Sequence, residues 1–104
     1  MTDLEITRLC GLAMGLDLVQ RNARRGDGYW SMELLKVYDP LHDDAQAMAM
    51  VKKFNLVIER ERDSRYFGVT LFTPGNKAHP QVVRAADDLN RAICECVAKM
   101  QAAK

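Results

Sequence analysis

The sequence predicts an α/β chain of the α+β kind, a three-layer α-β-α sandwich around a small, mostly antiparallel sheet. Three observations carry that expectation. Segments opening at Thr2 and at Asp43 have helix-start chemistry followed by an apolar stripe, and Leu56 to Phe72 has the pattern of a β-hairpin. Val82, Ala86, Leu89, Ile93, Val97 and Met100 then recur at three- and four-residue steps, which predicts a long closing helix.

Taken in order, Thr2-Asp3-Leu4-Glu5 is a capping box that opens a helix running to about Met14, with Gly15 as its left-handed stop. Leu16 to Val19 predicts a short strand. Gln20 to Gly28 is polar, carries Arg21, Arg24 and Arg25 and ends in Gly26-Asp27-Gly28, so it reads as an exposed loop. Trp30, Met32, Leu34 and Tyr38 alternate with their neighbours, favouring one strand, although Met32, Leu35 and Tyr38 also fit a short helix face.

The break after that segment is built in. Pro40 pushes Asp39 out of the α region, so the extended chain cannot run smoothly into a helix. Asp43 with Gln46 three residues on starts the next helix, whose run Ala45 to Phe54 places Ala47, Met48, Val51 and Phe54 on one face, and Asn55 can close it. Leu56 to Arg62 and Arg65 to Phe72 form the hairpin about Asp63-Ser64, apolar on both faces and hence in need of cover on both. Thr73 to Lys77 reads as a loop, and Pro80 as the first turn of a helix that frays only at Gln101 to Lys104.

At 104 residues the chain is expected to form one domain, residues 1–104, with a core large enough to need no metal or disulfide. Fifteen basic and fourteen acidic side chains nearly cancel, so no global field draws the chain to nucleic acid or an anionic membrane. No apolar run approaches the roughly 20 residues of a membrane span. Cys10, Cys94 and Cys96 are an odd set, as expected of reduced thiols, and a cytoplasmic setting is the expectation.

Chemistry is sparsely signalled. Cys94 and Cys96 lie two apart on a helix and so diverge by about 200°, which predicts one sulfur in the core and one at its edge. His42 and His79 have no second ligand at metal spacing, and Asp39, Asp43 and Asp44 are accounted for by capping and turn formation. No catalytic residue, cofactor or metal is therefore assigned. The candidate interaction surface is basic: Arg21, Arg24 and Arg25 beside Tyr29 and Trp30, with Arg60, Arg62 and Arg65 at the hairpin tip. Guanidinium and aromatic groups together suit either a protein interface or a nucleic-acid module.

Three stretches in combination resemble a known family. They are the capping-box helix, the Tyr38-Asp39-Pro40-Leu41-His42-Asp43-Asp44 turn into an Ala/Met-rich helix, and Asn90-Arg91-Ala92-Ile93-Cys94 in the closing helix. The chain resembles the phage ABA sandwich domain proteins, small phage and prophage proteins, over nearly all of its length. The resemblance implies a phage origin and the α-β-α layering, with no established activity. The expected function is that of a non-enzymatic phage accessory protein that binds a host or phage protein, with inhibition of a host defence as one form of it. The alternative is a nucleic-acid module, and a homodimer through the long helix or a hairpin edge is a further expectation.

Overall fold

The computed structural model describes residues 2–23, 26–60, 66–71, 81–86 and 88–103. The α+β class is as expected: the described residues form three helices with antiparallel β-structure. Helix α1 spans Asp3–Ala13, and its cap Thr2 accepts from the Glu5 amide at 3.2 Å. Gly15, at φ 73°, lies just beyond the end of that helix, in the left-handed region that glycine enters without a Cβ clash. Helix α2 spans Asp44–Phe54, capped by Asp43 at its start and closed by Asn55 in the left-handed conformation. Lys53 in its last turn donates to the Ala13 carbonyl at 3.2 Å, satisfying an orphan acceptor at the end of α1.

The Asp39-Pro40 break lies where the sequence puts it. The Asp39 carbonyl accepts from the amides of His42 and Asp43, turning the chain between strand and helix. Gln46 departs from simple capping-box behaviour. Its side chain reaches back across the turn, accepting from the Asp39 amide at 2.7 Å and donating to the Val37 carbonyl at 3.0 Å. In α2, Ala47 is buried and Val51 and Phe54 pack against the core as predicted, whereas Met48 is exposed and Met50 is buried in its place.

Three segments differ from expectation. Gln20 to Gly28 is not a loop over most of its length: β1 (Leu18–Ala23) pairs with β2 (Gly26–Ser31). The expected strand through Trp30 to Tyr38 is interrupted by a turn, with β3 (Lys36–Tyr38) returning along β2. Leu35 sits at φ 54° in that turn, and alternation alone does not register such a reversal. The long helix is also shorter than predicted. Residues Gln81–Ala86 are strand β6, and helix α3 begins at Leu89 behind the cap Asp88, whose side chain accepts from the Arg91 amide. Val82-Val83 favours extended backbone, and pairing with a neighbouring strand outweighs the helical spacing.

Among the described residues the strands form two antiparallel three-stranded sheets, β1-β2-β3 and β4-β5-β6. In the second, β4 (Val57–Arg60) pairs with β5 (Tyr66–Leu71), as the hairpin pattern predicted. The Asp63-Ser64 bend, the 73–77 loop and Pro80 lie outside the described residues. Helix α3 (Leu89–Ala102) is the core element, touching α1, α2, β5 and β6. Ala92, Ile93, Cys94, Cys96, Val97 and Ala98 are all buried, a spread that only a helix covered on several sides can show. Cys94 and Cys96 are therefore both in the core, not one at its edge. The Cys10 thiol donates to the Cys94 carbonyl at 3.3 Å, seating α1 on α3. Arg91 fixes the same pair of helices at the surface, 2.8 Å from Asp3 and 3.5 Å from Glu95.

Candidate functional site

Side chains alternate across a strand, so each face of the first sheet can be read from its register. Leu18, Ser31 and Tyr38 point inward; Ser31 and Tyr38 are buried, and Leu18 packs over Gly11 of α1. The opposite face carries Val19 and Arg21 on β1, Gly28 and Trp30 on β2, and Val37 on β3. Val19 is opposite Trp30, Trp30 is opposite Val37, and Arg21 is opposite Gly28. The Met32 amide donates to the Asp17 carbonyl at 3.2 Å just beyond the strand ends, and Met32 borders this face beside Val19 and Trp30.

This face is open. Val19, Met32 and Val37 are each about half exposed, at 47%, 50% and 51%. Val19, Arg21, Trp30 and Met32 line a shallow groove of about 270 Å³. The Arg21 guanidinium lies 5.1 Å from the centre of the Trp30 ring, within range of a cation–π contact. Trp and Arg beside exposed aliphatic groups are the composition that dominates protein interfaces.

Of the six arginines singled out in the sequence, Arg21 is the one whose surroundings are described. It projects from a strand, not from a solvated loop. Arg24, Arg25, Arg62 and Arg65 lie outside the described residues, as does the side chain of Arg60, whose backbone pairs with Phe67 in the other sheet. Val19, Met32 and Val37 were missed as functional candidates. The alternation Asp17-x-Val19-x-Arg21 was visible, but nothing in it distinguishes an outward apolar row from a core-facing one.

A second concavity, a cleft of about 360 Å³, lies between α1, the first sheet and the Asp39-Pro40 turn. Asp3, Thr7, Tyr29, Tyr38, Asp39 and His42 are among its lining residues. His42 Nδ1 sits 2.9 and 3.1 Å from the two Asp39 carboxylate oxygens, and Asp3 is engaged by Arg91. Asp43 and Asp44 do not join this pair. Asp43 accepts from the Gln46 amide, and Asp44 accepts from Asn90 at 2.8 Å. The three acids and His42 thus divide among a turn, a cap and a helix–helix bond.

The cysteines are poised for packing. Partnership with Cys10 and burial push the Cys94 thiol well above its ordinary range, and burial pushes Cys96 up to about 11, so both remain neutral thiols near pH 7. Among the described residues no three His, Cys, Asp or Glu side chains gather as metal ligands, and no helix is long and apolar enough to cross a membrane. No family model matches the chain, and no curated protein matches it in sequence.

Proposed function

We propose that this chain is a non-enzymatic accessory protein that acts by protein–protein contact, with the outward face of the β1-β2-β3 sheet as its docking surface. The observation that carries this reading is Arg21 lying over Trp30 inside a row of exposed aliphatic side chains. Burying half-exposed Val and Met groups against a partner recovers apolar area, and a pre-placed Arg–Trp pair lowers the entropy cost of docking. The partner has complementary chemistry: an apolar strip and an acid to meet Arg21. The resemblance to phage ABA sandwich proteins suggests a phage or prophage protein in the bacterial cytoplasm, with inhibition of a host defence as one form of its action.

The nucleic-acid reading also draws on Arg21 and Trp30, since a base can stack on the indole and a phosphate can pair with the guanidinium. Val19, Met32 and Val37 weigh against it, because half-exposed aliphatic groups offer a phosphate backbone nothing. The test is capture from bacterial lysate with the tagged full chain, with and without nuclease, beside Val19→Glu and Arg21→Glu. A protein retained despite nuclease and lost with both variants is expected. Retention that nuclease abolishes and added salt weakens steeply replaces this reading with the nucleic-acid one, and retention indifferent to both variants removes the face from the proposal.

A further inference from the structure

The cleft between α1, the first sheet and the Asp39-Pro40 turn carries unmatched charges of both signs over an apolar floor, and we propose that it binds a free amino acid with an apolar side chain, held as its zwitterion. The cleft exists because β3 stops early. Arg21 is opposite Gly28 and Tyr29 is opposite Tyr38, so a longer β3 would have set Asp39 beside Gly28. Gln46 instead takes the Asp39 amide, and the Asp39 carbonyl turns to the amides of His42 and Asp43. The chain leaves the sheet there, and a cleft of about 360 Å³ opens, within the range of small-molecule sites. Gly28 keeps it open, since a Cβ built on that residue meets nothing within 4 Å. Arg21 and Asp39 both border the cleft, on either side of that glycine and about two strand spacings apart, roughly 10 Å.

The lining charges do not cancel within the cleft. Asp3 is met by Arg91 at 2.8 Å. Asp39 accepts from His42 Nδ1, and with the imidazole neutral that pair keeps one negative charge. Arg21 lies over the Trp30 ring and pairs with no carboxylate among the described residues, so its N–H fork remains for a ligand. With an Asp and an Arg side chain spanning part of the distance between them, the gap suits the ammonium and the carboxylate of one α-carbon. Thr7 adds an acceptor from α1. It is buried, and its hydroxyl proton is committed to the Asp3 carbonyl at 2.9 Å, which leaves the oxygen lone pairs to the ammonium. Tyr38 turns its hydroxyl to Met50 Sδ at 3.9 Å and so offers the cleft its ring, beside Leu4, Val37 and Leu41. That apolar surface takes the ligand side chain and excludes water from the two charge pairs, which strengthens them. A lone amine or a lone carboxylate leaves one of the two protein charges unmet.

The experiment is isothermal titration of the full chain at ~pH 8, above the ordinary imidazole range, with L-phenylalanine and L-leucine as probes and the folding of each variant checked by circular dichroism. At least one of the two is expected to bind with a Kd of about 100 µM. The same compound without its ammonium, and the same compound without its carboxylate, are each expected to bind about tenfold more weakly. Arg21→Gln and Asp39→Asn are each expected to weaken binding about tenfold and Thr7→Val about threefold. Gly28→Leu, which fills the gap at a position outside the left-handed region, is expected to abolish binding, whereas Met48→Glu on α2 leaves it unchanged. Failure of both amino acids to bind at ~5 mM overturns the inference. So does a deaminated or decarboxylated form that binds as tightly as its parent, or an affinity indifferent to Arg21→Gln and Asp39→Asn. Protein capture through Val19 is a separate measurement, so either proposal can fail alone.

Discussion

Gln46 shows how a single side chain can hold a hinge. Pro40 forces the chain off its course between β3 and α2, and the polar backbone groups flanking the turn need partners. Gln46 is almost fully buried and serves two of them, the Val37 carbonyl and the Asp39 amide, while its own amide is capped by Asp43. Gln46→Leu keeps the volume and removes both bonds. Leaving the two partners unsatisfied is expected to lower unfolding free energy by about 2 kcal/mol, read as a lower urea midpoint at unchanged slope. Gln46→Glu keeps the acceptor and loses the donor, so it is expected to leave the Val37 carbonyl unserved as well. Arg21 belongs to the same scale. Its value to the proposed interface comes from the Trp30 ring beneath it, a neighbour nine residues away that only strand pairing delivers.

Among the elements, α1 and β1 depend on one small residue. Gly11 faces Leu18, and a Cβ at that position would overlap the Leu18 side chain. Alanine in a helix interior is worth about 1 kcal/mol over glycine, but overpacking a fitted contact costs about 1–3 kcal/mol. Gly11→Ala is therefore expected to destabilise the protein by about 1 kcal/mol, and the loss is expected to shrink in a Leu18→Ala background, where the space is free. A simple gain from helix propensity in denaturant titration would show that β1 does not press on α1. The helix ends were legible because capping is local: Thr2, Asp43, Gly15 and Asn55 act within a few residues of themselves. The 82–86 segment was misread because its apolar spacing suits a helix, while its Val-Val pair and a partner strand decide for β6.

At the scale of the whole molecule, α3 sits where α1, α2 and the second sheet converge, and its thiols record that burial. Burial likewise raises the Tyr38 hydroxyl above its ordinary range. Unfolding frees Cys94 and Cys96 to titrate near about 8.5 and Tyr38 near about 10. Above about pH 8.5 the unfolded chain thus binds fewer protons than the folded one, so the stability held below that pH falls as pH rises through the raised folded values. Denaturant midpoints measured from ~pH 7 to ~pH 10.5 are expected to decline steadily above ~pH 8.5, and a flat profile would mean that these groups are solvated in the folded state.

The sequence by itself determined the α+β class, the Asp39-Pro40 break, the caps of α1 and α2 and the β4-β5 pairing, because each depends on neighbours within a few residues or on simple periodicity. The tertiary structure alone decided that the arginine-bearing stretch after Leu18 is a strand, that both Cys94 and Cys96 are enclosed, and that Val19, Trp30, Met32 and Val37 are left facing outward. Periodicity tells which residues share a face; it carries no information on which face the rest of the chain will cover. That choice belongs to contacts distant in sequence, and here it leaves Val19 and Arg21 facing outward beside Trp30 and Met32.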